Sequence, residues 1–230
     1  MSDAIKKILL FGMTRASVEM GMQLRQRGYD FWIIDKDPAL QAKADEYGLD
    51  LKIVDYTDDE VLEKEGIGQG VGLVYALFDE DVDNIFLTIS IRAMDPTVRI
   101  IATTQSHDTI HKLKAAGANT VLDAYQITGR KIYELLKKPE VVGIIDDTVF
   151  GRSDINIEQL TITEKSSLNG TVLDALDAPD VIILGVHDKE MGNNFIFVTE
   201  GHRHILDAGD VIVLVGHTAQ IQAFQEKYAL

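Results

Sequence analysis

Through the first 123 residues, short aliphatic and β-branched runs alternate with stretches in which apolar residues recur at helical spacing. The runs lie at 8–11, 31–34, 51–54, 72–77, 99–102 and 120–122. Runs this short and this continuously apolar suit strands buried on both faces, and the intervals between them suit crossover helices. Val18, Met20, Met22 and Leu24 mark one such interval, Ile85, Phe86 and Ile89 a second, and residues 110–116 a shorter third. Gly28, Gly48 and Gly117 fall where those helices should stop. The pattern predicts an α/β fold, a Rossmann-like doubly wound parallel sheet.

After Asp123 the pattern changes. Residues 126–138 read as an amphipathic helix through Ile127, Arg130, Ile132, Leu135 and Leu136, ended by Pro139, and 141–150 read as a second helix. Two adjoining helices with apolar faces and no strand between them describe an arm that leaves the sheet. Pairing with another copy is the first expectation for it. From residue 155 strands dominate again, at 155–163, 181–187, 195–199 and 211–215, with a short helix near 172–176. The expected organisation is a Rossmann-like lobe over 1–124, an arm and hinge over 125–152, and a smaller α/β subdomain over 153–230. The hinge is expected at Gly151-Arg152-Ser153-Asp154.

Composition narrows the functional classes. A chain of 230 residues with 46% hydrophobic content can build a packed core without cross-links, and the absence of cysteine excludes thiol catalysis, disulfides and cysteine metal sites. A reducing cytosol is the expected compartment. No apolar run approaches the roughly 20 residues of a spanning helix, and Met1-Ser-Asp-Ala does not open a signal peptide. A net charge of −15 repels a phosphate backbone, so nucleic acid is excluded as a partner. The excess carboxylates either collect divalent cations or keep an assembling protein soluble.

The first strand, turn, helix and second strand resemble the start of a dinucleotide-binding βαβ unit. There, turn glycines let phosphate approach a helix start, and a later acid holds ribose hydroxyls. Gly12 keeps the tight turn, but Thr14 and Ser17 stand where the two other fingerprint glycines belong. Asp35, about 23 residues beyond Gly12, has the spacing of the ribose acid. The added side chains oppose close approach of a phosphate, yet both are small and polar, able to cap the helix and donate to an anion.

In order and spacing, these segments resemble the RCK domain, the regulator of potassium conductance, also described as a TrkA-N and TrkA-C pair. The likeness rests on the Gly12 turn, on Ile33-Ile34-Asp35-Lys36-Asp37-Pro38, on Val54-Asp55-Tyr56-Thr57-Asp58, on Asp79 to Asn84 and on Tyr125-Gln126-Ile127-Thr128-Gly129-Arg130. In the second half it rests on Ser167-Leu168-Asn169-Gly170-Thr171 and Ala208-Gly209-Asp210-Val211. The resemblance implies a cytoplasmic, non-enzymatic gating domain or subunit at the inner face of the membrane, beneath a potassium channel or transporter pore. Its lobes would pair through the arm into a dimer and an octameric ring. It also implies a small-molecule site, for NAD(H) or an adenine nucleotide, built from Gly12, Met13, Thr14, Arg15, Asp35, Lys36, Asp55, Tyr56, Phe78 and Asp79. Val54 replaces the glycine that the family carries before Asp55.

Other constellations have plainer roles. Some RCK domains resembling this one bind calcium through an acid near Asp79 and glutamates after the fifth strand, where this chain has Thr103 and Gln105. The acids Asp79, Glu80, Asp81 and Asp83 therefore read as a helix start before a metal site. His107 with His111, and His202 with His204, have pair spacing but no third ligand nearby, and the second pair is expected to face solvent. No metal is assigned. Tyr133 and Lys137 match the Y-x-x-x-K of nicotinamide-dependent oxidoreductases, but on an arm helix an amphipathic role explains them better. An unusual oxidoreductase and a ligand-free assembly scaffold remain the alternatives.

Overall fold

The computed structural model describes residues 7–149, 154–176, 178–190, 194–198 and 204–230. The chain divides into two compact units, 1–132 and 133–230. In the first, six parallel strands run in the order β3-β2-β1-β4-β5-β6: β1 (Ile8–Phe11), β2 (Phe31–Asp35), β3 (Leu51–Ile53), β4 (Leu73–Ala76), β5 (Arg99–Thr104) and β6 (Thr120–Asp123). Between them lie α1 (Arg15–Gln26), α2 (Gln41–Tyr47), α3 (Asp59–Lys64), α4 (Asp81–Met94) and α5 (Thr109–Ala116). The order reverses between β1 and β4, which creates the crevice at the carboxyl edge where such sheets take ligands.

The two sheet faces are covered unequally. Side chains alternate across a strand, so Leu9, Phe11, Val74, Ala76, Ile100 and Ala102 share one face, packed by Leu62 of α3, Leu87 and Ile91 of α4 and Leu113 of α5. The opposite face carries Ile8, Leu10, Ile33 and Leu73 under Val18 of α1 and Ala44 of α2. Both helices on this second face lie over the β1–β3 side, as right-handed crossovers require. Helices α2 and α3 are additional to the three intervals legible as helical in the sequence, because each is a single short segment of mixed polarity.

Asn84, wholly buried in α4, ties this helix to two strand ends. Its amide nitrogen donates to the carbonyls of Phe78 (2.8 Å) and Thr103 (3.1 Å), and its side-chain oxygen accepts from Phe78 N–H (3.0 Å). The loops after β4 and β5 are thus held at fixed separation.

Helix α6 (Ala124–Lys137) follows β6 with no intervening loop, and α7 (Pro139–Val149) begins at the proline that stops it. Asp123 accepts a hydrogen bond from Gln126 N–H (2.8 Å) at the root of α6. No residue of α6 is buried. Ile132 is 62% and Leu136 84% exposed, and Tyr125, Leu135, Val141, Ile144 and Ile145 are exposed as well. The boundary between the two units falls within α6.

The second unit is an antiparallel sheet in the order β7-β10-β8-β9, from β7 (Ile155–Thr161), β8 (Ile182–Asp188), β9 (Asn194–Phe197) and β10 (Val211–His217). Its core joins Leu160, Val186, Ile212 and Leu214 to Ile221 and Phe224 of α8 (Thr218–Tyr228), a helix the strand-rich sequence pattern did not announce. A 3-10 turn at Leu173–Ala175 stands for the short helix expected near 172–176. Residues 151–153 of the expected hinge, and Phe150, Thr199 and His202, lie outside the described residues.

Asn84→Ala strands the Phe78 amide and two carbonyls in a buried site, and should cost about 2–3 kcal/mol in a denaturant titration, whereas Leu136→Ala on the exposed arm should cost almost nothing in the same lobe.

Candidate functional site

Gly12 ends β1 with φ +93, a backbone conformation that side chains disfavour. A Cβ here would lie 2.8 Å from the Phe78 ring and 3.0 Å from the Phe78 backbone nitrogen. The first fingerprint glycine is therefore needed both for its dihedral and for the close approach of the β1 and β4 loops.

Thr14 and Ser17 close the turn on itself. Thr14 caps α1: its N–H donates to Ser17 Oγ (2.7 Å), and Ser17 N–H donates back to Thr14 Oγ1 (3.4 Å), a reciprocal capping box. The fully buried Ser17 hydroxyl also donates to the Gly12 carbonyl. This serine occupies the place of the third glycine and spends its proton inside the turn, so it is unable to serve an anion as the sequence suggested. The amides of Arg15 and Ala16, in the first turn of α1, have no acceptor among the described residues.

Asp35 ends β2 with both oxygens engaged. One accepts from Met13 N–H (2.8 Å), the other from Asp37 N–H (3.1 Å), and the residue is buried. Each carboxylate oxygen retains a further lone pair, but its present task is to pin the β1 turn. Tyr56 is 2% exposed, edge-on to Phe11 and tilted over Phe78 with ring centroids 4.6 Å apart. Burial, with the negative charges of Asp83, Asp35 and Asp55, pushes its hydroxyl pKa up to about 12. Lys36 Nζ lies 5.3 Å from the Tyr56 ring centroid. Asp55 is exposed, and its carboxyl is held below the usual range by the hydroxyl and N–H of Thr57.

A cleft of about 340 Å³ opens at the switch point. Of the ten residues expected at the site, Thr14, Arg15, Phe78 and Asp79 line it. Gly12 and Met13 form the buried turn beside these residues, while Asp35, Lys36, Asp55 and Tyr56 belong to the β2–β3 side and do not line the cleft. The sequence reading missed Ala16, Glu19, Leu77, Thr104 and Ala124, which also line it. Thr103 and Gln105, noted only as substitutes for calcium ligands, complete the wall. The available signal was positional: residues just past β1, β4 and β5 converge at a switch point whatever their type.

The β5 exit forms one wall and is fixed by Asp81, whose carboxylate accepts from the Thr104 hydroxyl (2.9 Å) and Gln105 N–H (3.0 Å). Burial alone would raise the Asp81 carboxyl, but the hydrogen bonds from Gln105, Thr109, Thr104 and Ser106 outweigh it and hold the carboxyl below the ordinary value. Thus Asp81 of the acidic cluster is occupied at the helix start and β5 loop. Among the described residues, no group of three or more histidines and carboxylates is arranged to hold a metal ion. The same wall reaches the arm: Ala124, the first residue of α6, lines the cleft, and the Tyr125 hydroxyl lies 3.5 Å from Gln105 Oε1.

The remaining candidates take other places. His107 is mostly exposed, 3.8 Å from Asp123. His204 does not face solvent. Its side chain is enclosed in the second unit, 3.0 Å from Asp210 and 3.7 Å from Asp188, because those carboxylates need a buried partner. Tyr133 is exposed on α6 with Lys137 Nζ 5.8 Å from its ring centroid, and neither residue lines the cleft.

Residues 8–124, half of the chain, match the family described as the TrkA-N domain. Potassium channel protein 1 of Methanocaldococcus jannaschii is 25% identical over 96% of this chain and 68% of its own length. Probable potassium channel protein 2 of the same organism is 32% identical over 50% of this chain and 34% of its own length. In fold, the chain is similar to the human SLO3 gating ring (TM-score 0.65, 12% identity, 95% of this chain and 46% of that one). It is also similar to the GsuK channel bound to NAD (TM-score 0.52, 19% identity, 96% of this chain and 38% of that one). A structure of GsuK bound to ADP matches 60% of this chain and 36% of its own (TM-score 0.51, 23% identity). The chain thus spans about a third to two thirds of these curated relatives, and less than half of each of these solved chains.

Two outcomes test the site geometry. Gly12→Ala should destabilise the lobe by on the order of 2 kcal/mol, measured by chemical denaturation, because both dihedral and space oppose the methyl. Asp81→Asn should melt below the parent at neutral pH. Since the folded carboxyl titrates below its unfolded value, its stabilisation is present above about pH 4 and is lost as pH falls through the folded pKa. The gap between the two melting curves should therefore close on acidification.

Proposed function

Because the chain belongs to the TrkA-N domain family, we propose that it is a ligand-reading regulatory module of a potassium channel or transport protein, not an enzyme. On this reading it lies on the cytoplasmic side of the membrane, next to the pore it controls. The observation that carries the proposal is Ala124: one residue is both part of the cleft wall and the first residue of an unburied apolar helix. A ligand that moves the β5 wall moves the root of the arm.

The proposed ligand is an adenine nucleotide or dinucleotide, in keeping with the NAD and ADP bound by GsuK. Its phosphates would approach the Arg15 and Ala16 amides and the Arg15 guanidinium. The exposed apolar residues of α6 and α7 would pair with a second copy. A further exposed stripe on α4, Val82, Phe86 and Ile89, is spaced for one helical face. Two distinct self-contacts are what a closed ring of dimers needs, since a single twofold contact stops at the dimer. Occupancy shifts the arrangement only by its affinity difference between the two shapes, about 1–3 kcal/mol per site, and several sites in a ring add.

Two measurements test this. ADP or NAD should raise the melting temperature of the purified chain, and Arg15→Ala should abolish the shift without lowering the ligand-free melting point. Ile132→Asp with Leu136→Asp should convert sedimenting oligomers to monomers of unchanged lobe stability. A parent chain that is already monomeric at tens of micromolar would refute the pairing.

A further inference from the structure

The switch point has two sides, and they are not equally open. On the β2–β3 side Tyr56 is 2% and Asp35 8% exposed, so neither offers surface to a visiting molecule. The Tyr56 ring lies against Phe78, meets Phe11 edge-on and has Lys36 Nζ 5.3 Å from its centroid. The slot between the β2 and β4 exits is thus filled by an aromatic ring of the chain itself. Asp35 gives one oxygen to Met13 N–H and the other to Asp37 N–H, both within the turns it braces. The charges of Asp83, Asp35 and Asp55 bear on the Tyr56 hydroxyl, with Lys36 the cation beside them, which is poor ground for a phosphate.

The β4–β5 side is open. The cleft of about 340 Å³ lies there, near the lower end of the range of about 300–1,000 Å³ for small-molecule sites. Phe78 stands between the two sides, touching Tyr56 and also lining the cleft, where Leu77 and Ala124 add apolar surface. Gln105 lines it too. The backbone of Gln105 is fixed by Asp81 (3.0 Å), while its carboxamide is exposed, the oxygen 3.5 Å from the Tyr125 hydroxyl. A carboxamide presents a donor and an acceptor side by side, the pattern that pairs with an edge of adenine.

We propose that the cleft takes an adenine mononucleotide in the sense opposite to the one the βαβ spacing suggests, its base on the β4–β5 side against Phe78 and read by Gln105. Its phosphates meet the start of α1, and Tyr56 closes the β2–β3 side. The inference rests on the nucleotide reading above and chooses between its two ligands. A dinucleotide needs a nucleoside pocket on each side of the turn, and the second pocket is filled. The orientation also has a mechanical consequence: the base rests beside Ala124 and near Tyr125, so occupancy bears directly on the first residues of α6.

Calorimetric titration of the full chain with ADP and with NAD tests this, on the parent and on two variants at exposed positions, Gln105→Ala and Lys36→Ala. ADP should bind about tenfold more tightly than NAD, and Gln105→Ala should weaken ADP about tenfold while Lys36→Ala leaves it within about twofold. ADP binding that is lost in Lys36→Ala and kept in Gln105→Ala would overturn the orientation while the nucleotide reading stands. NAD binding as tightly as ADP would overturn the closed side in the same way. If neither nucleotide binds the parent, the nucleotide reading and this inference fail together. Tyr56→Ala, checked first for a cooperative melt, adds a gain: opening the filled slot should raise NAD affinity about tenfold, and a folded variant with unchanged NAD affinity would contradict the proposal.

Discussion

A parallel sheet of six strands has two apolar faces, and water must be kept from both. That constraint shapes this chain more than any single contact. Five crossover helices satisfy it on one face and on half of the other, because right-handed connections send α1 and α2 to the β1–β3 side and α3 to α5 to the opposite face. The sixth helix leaves the sheet instead of completing it, with its apolar residues in water. Each fully buried aliphatic side chain contributes about 1.5–3 kcal/mol relative to exposure, so an arm presenting this many uncovered ones has a strong bias toward a second surface. The net charge of −15 opposes close approach of copies, so self-association would have to be driven by this apolar surface.

The cleft at the switch point is subject to the same constraint of space. At the β1 turn, glycine is kept where backbone meets backbone at Phe78, and given up where a serine hydroxyl can satisfy the turn internally. Asp35 holds Met13, Asp81 holds the β5 exit and Asn84 holds the β4 and β5 loops, so three sides of the cleft are tied to one another by hydrogen bonds. The fourth side runs into the first residue of the arm. A pocket pinned on three sides and continuous on the fourth with an unburied apolar helix gives a physical basis for regulation.

Much of the fold was legible in the sequence because buried parallel strands leave continuous apolar runs. All six strands of the first lobe are present near their expected bounds, with β5 longer, to Thr104. The short helices α2 and α3 were not, since six or seven residues cannot display a helical period, and α8 carries too mixed a face to stand out. At the site, the Gly12 turn and the acids gave local signals, and Arg15, Phe78 and Asp79, named from the family resemblance as a proposed ligand site, line the cleft. Thr104 and Gln105 carry no motif and are brought there only by strand order. The fate of His204 was equally hidden: its two carboxylate partners are six and sixteen residues away in sequence, and only the folded hairpin puts all three together.

Coverage of the arm by another copy is the condition for coupling the cleft to a change of assembly. Hydrogen exchange of the α6 and α7 amides, followed as the protein is diluted from tens of micromolar to nanomolar, tests this most directly. Protection that is high in the concentrated sample and lost on dilution, while the β1 and β4 amides stay protected throughout, is the predicted result. Arm protection that is the same at every concentration would mean that the chain covers its own helices or never covers them, and would contradict the account.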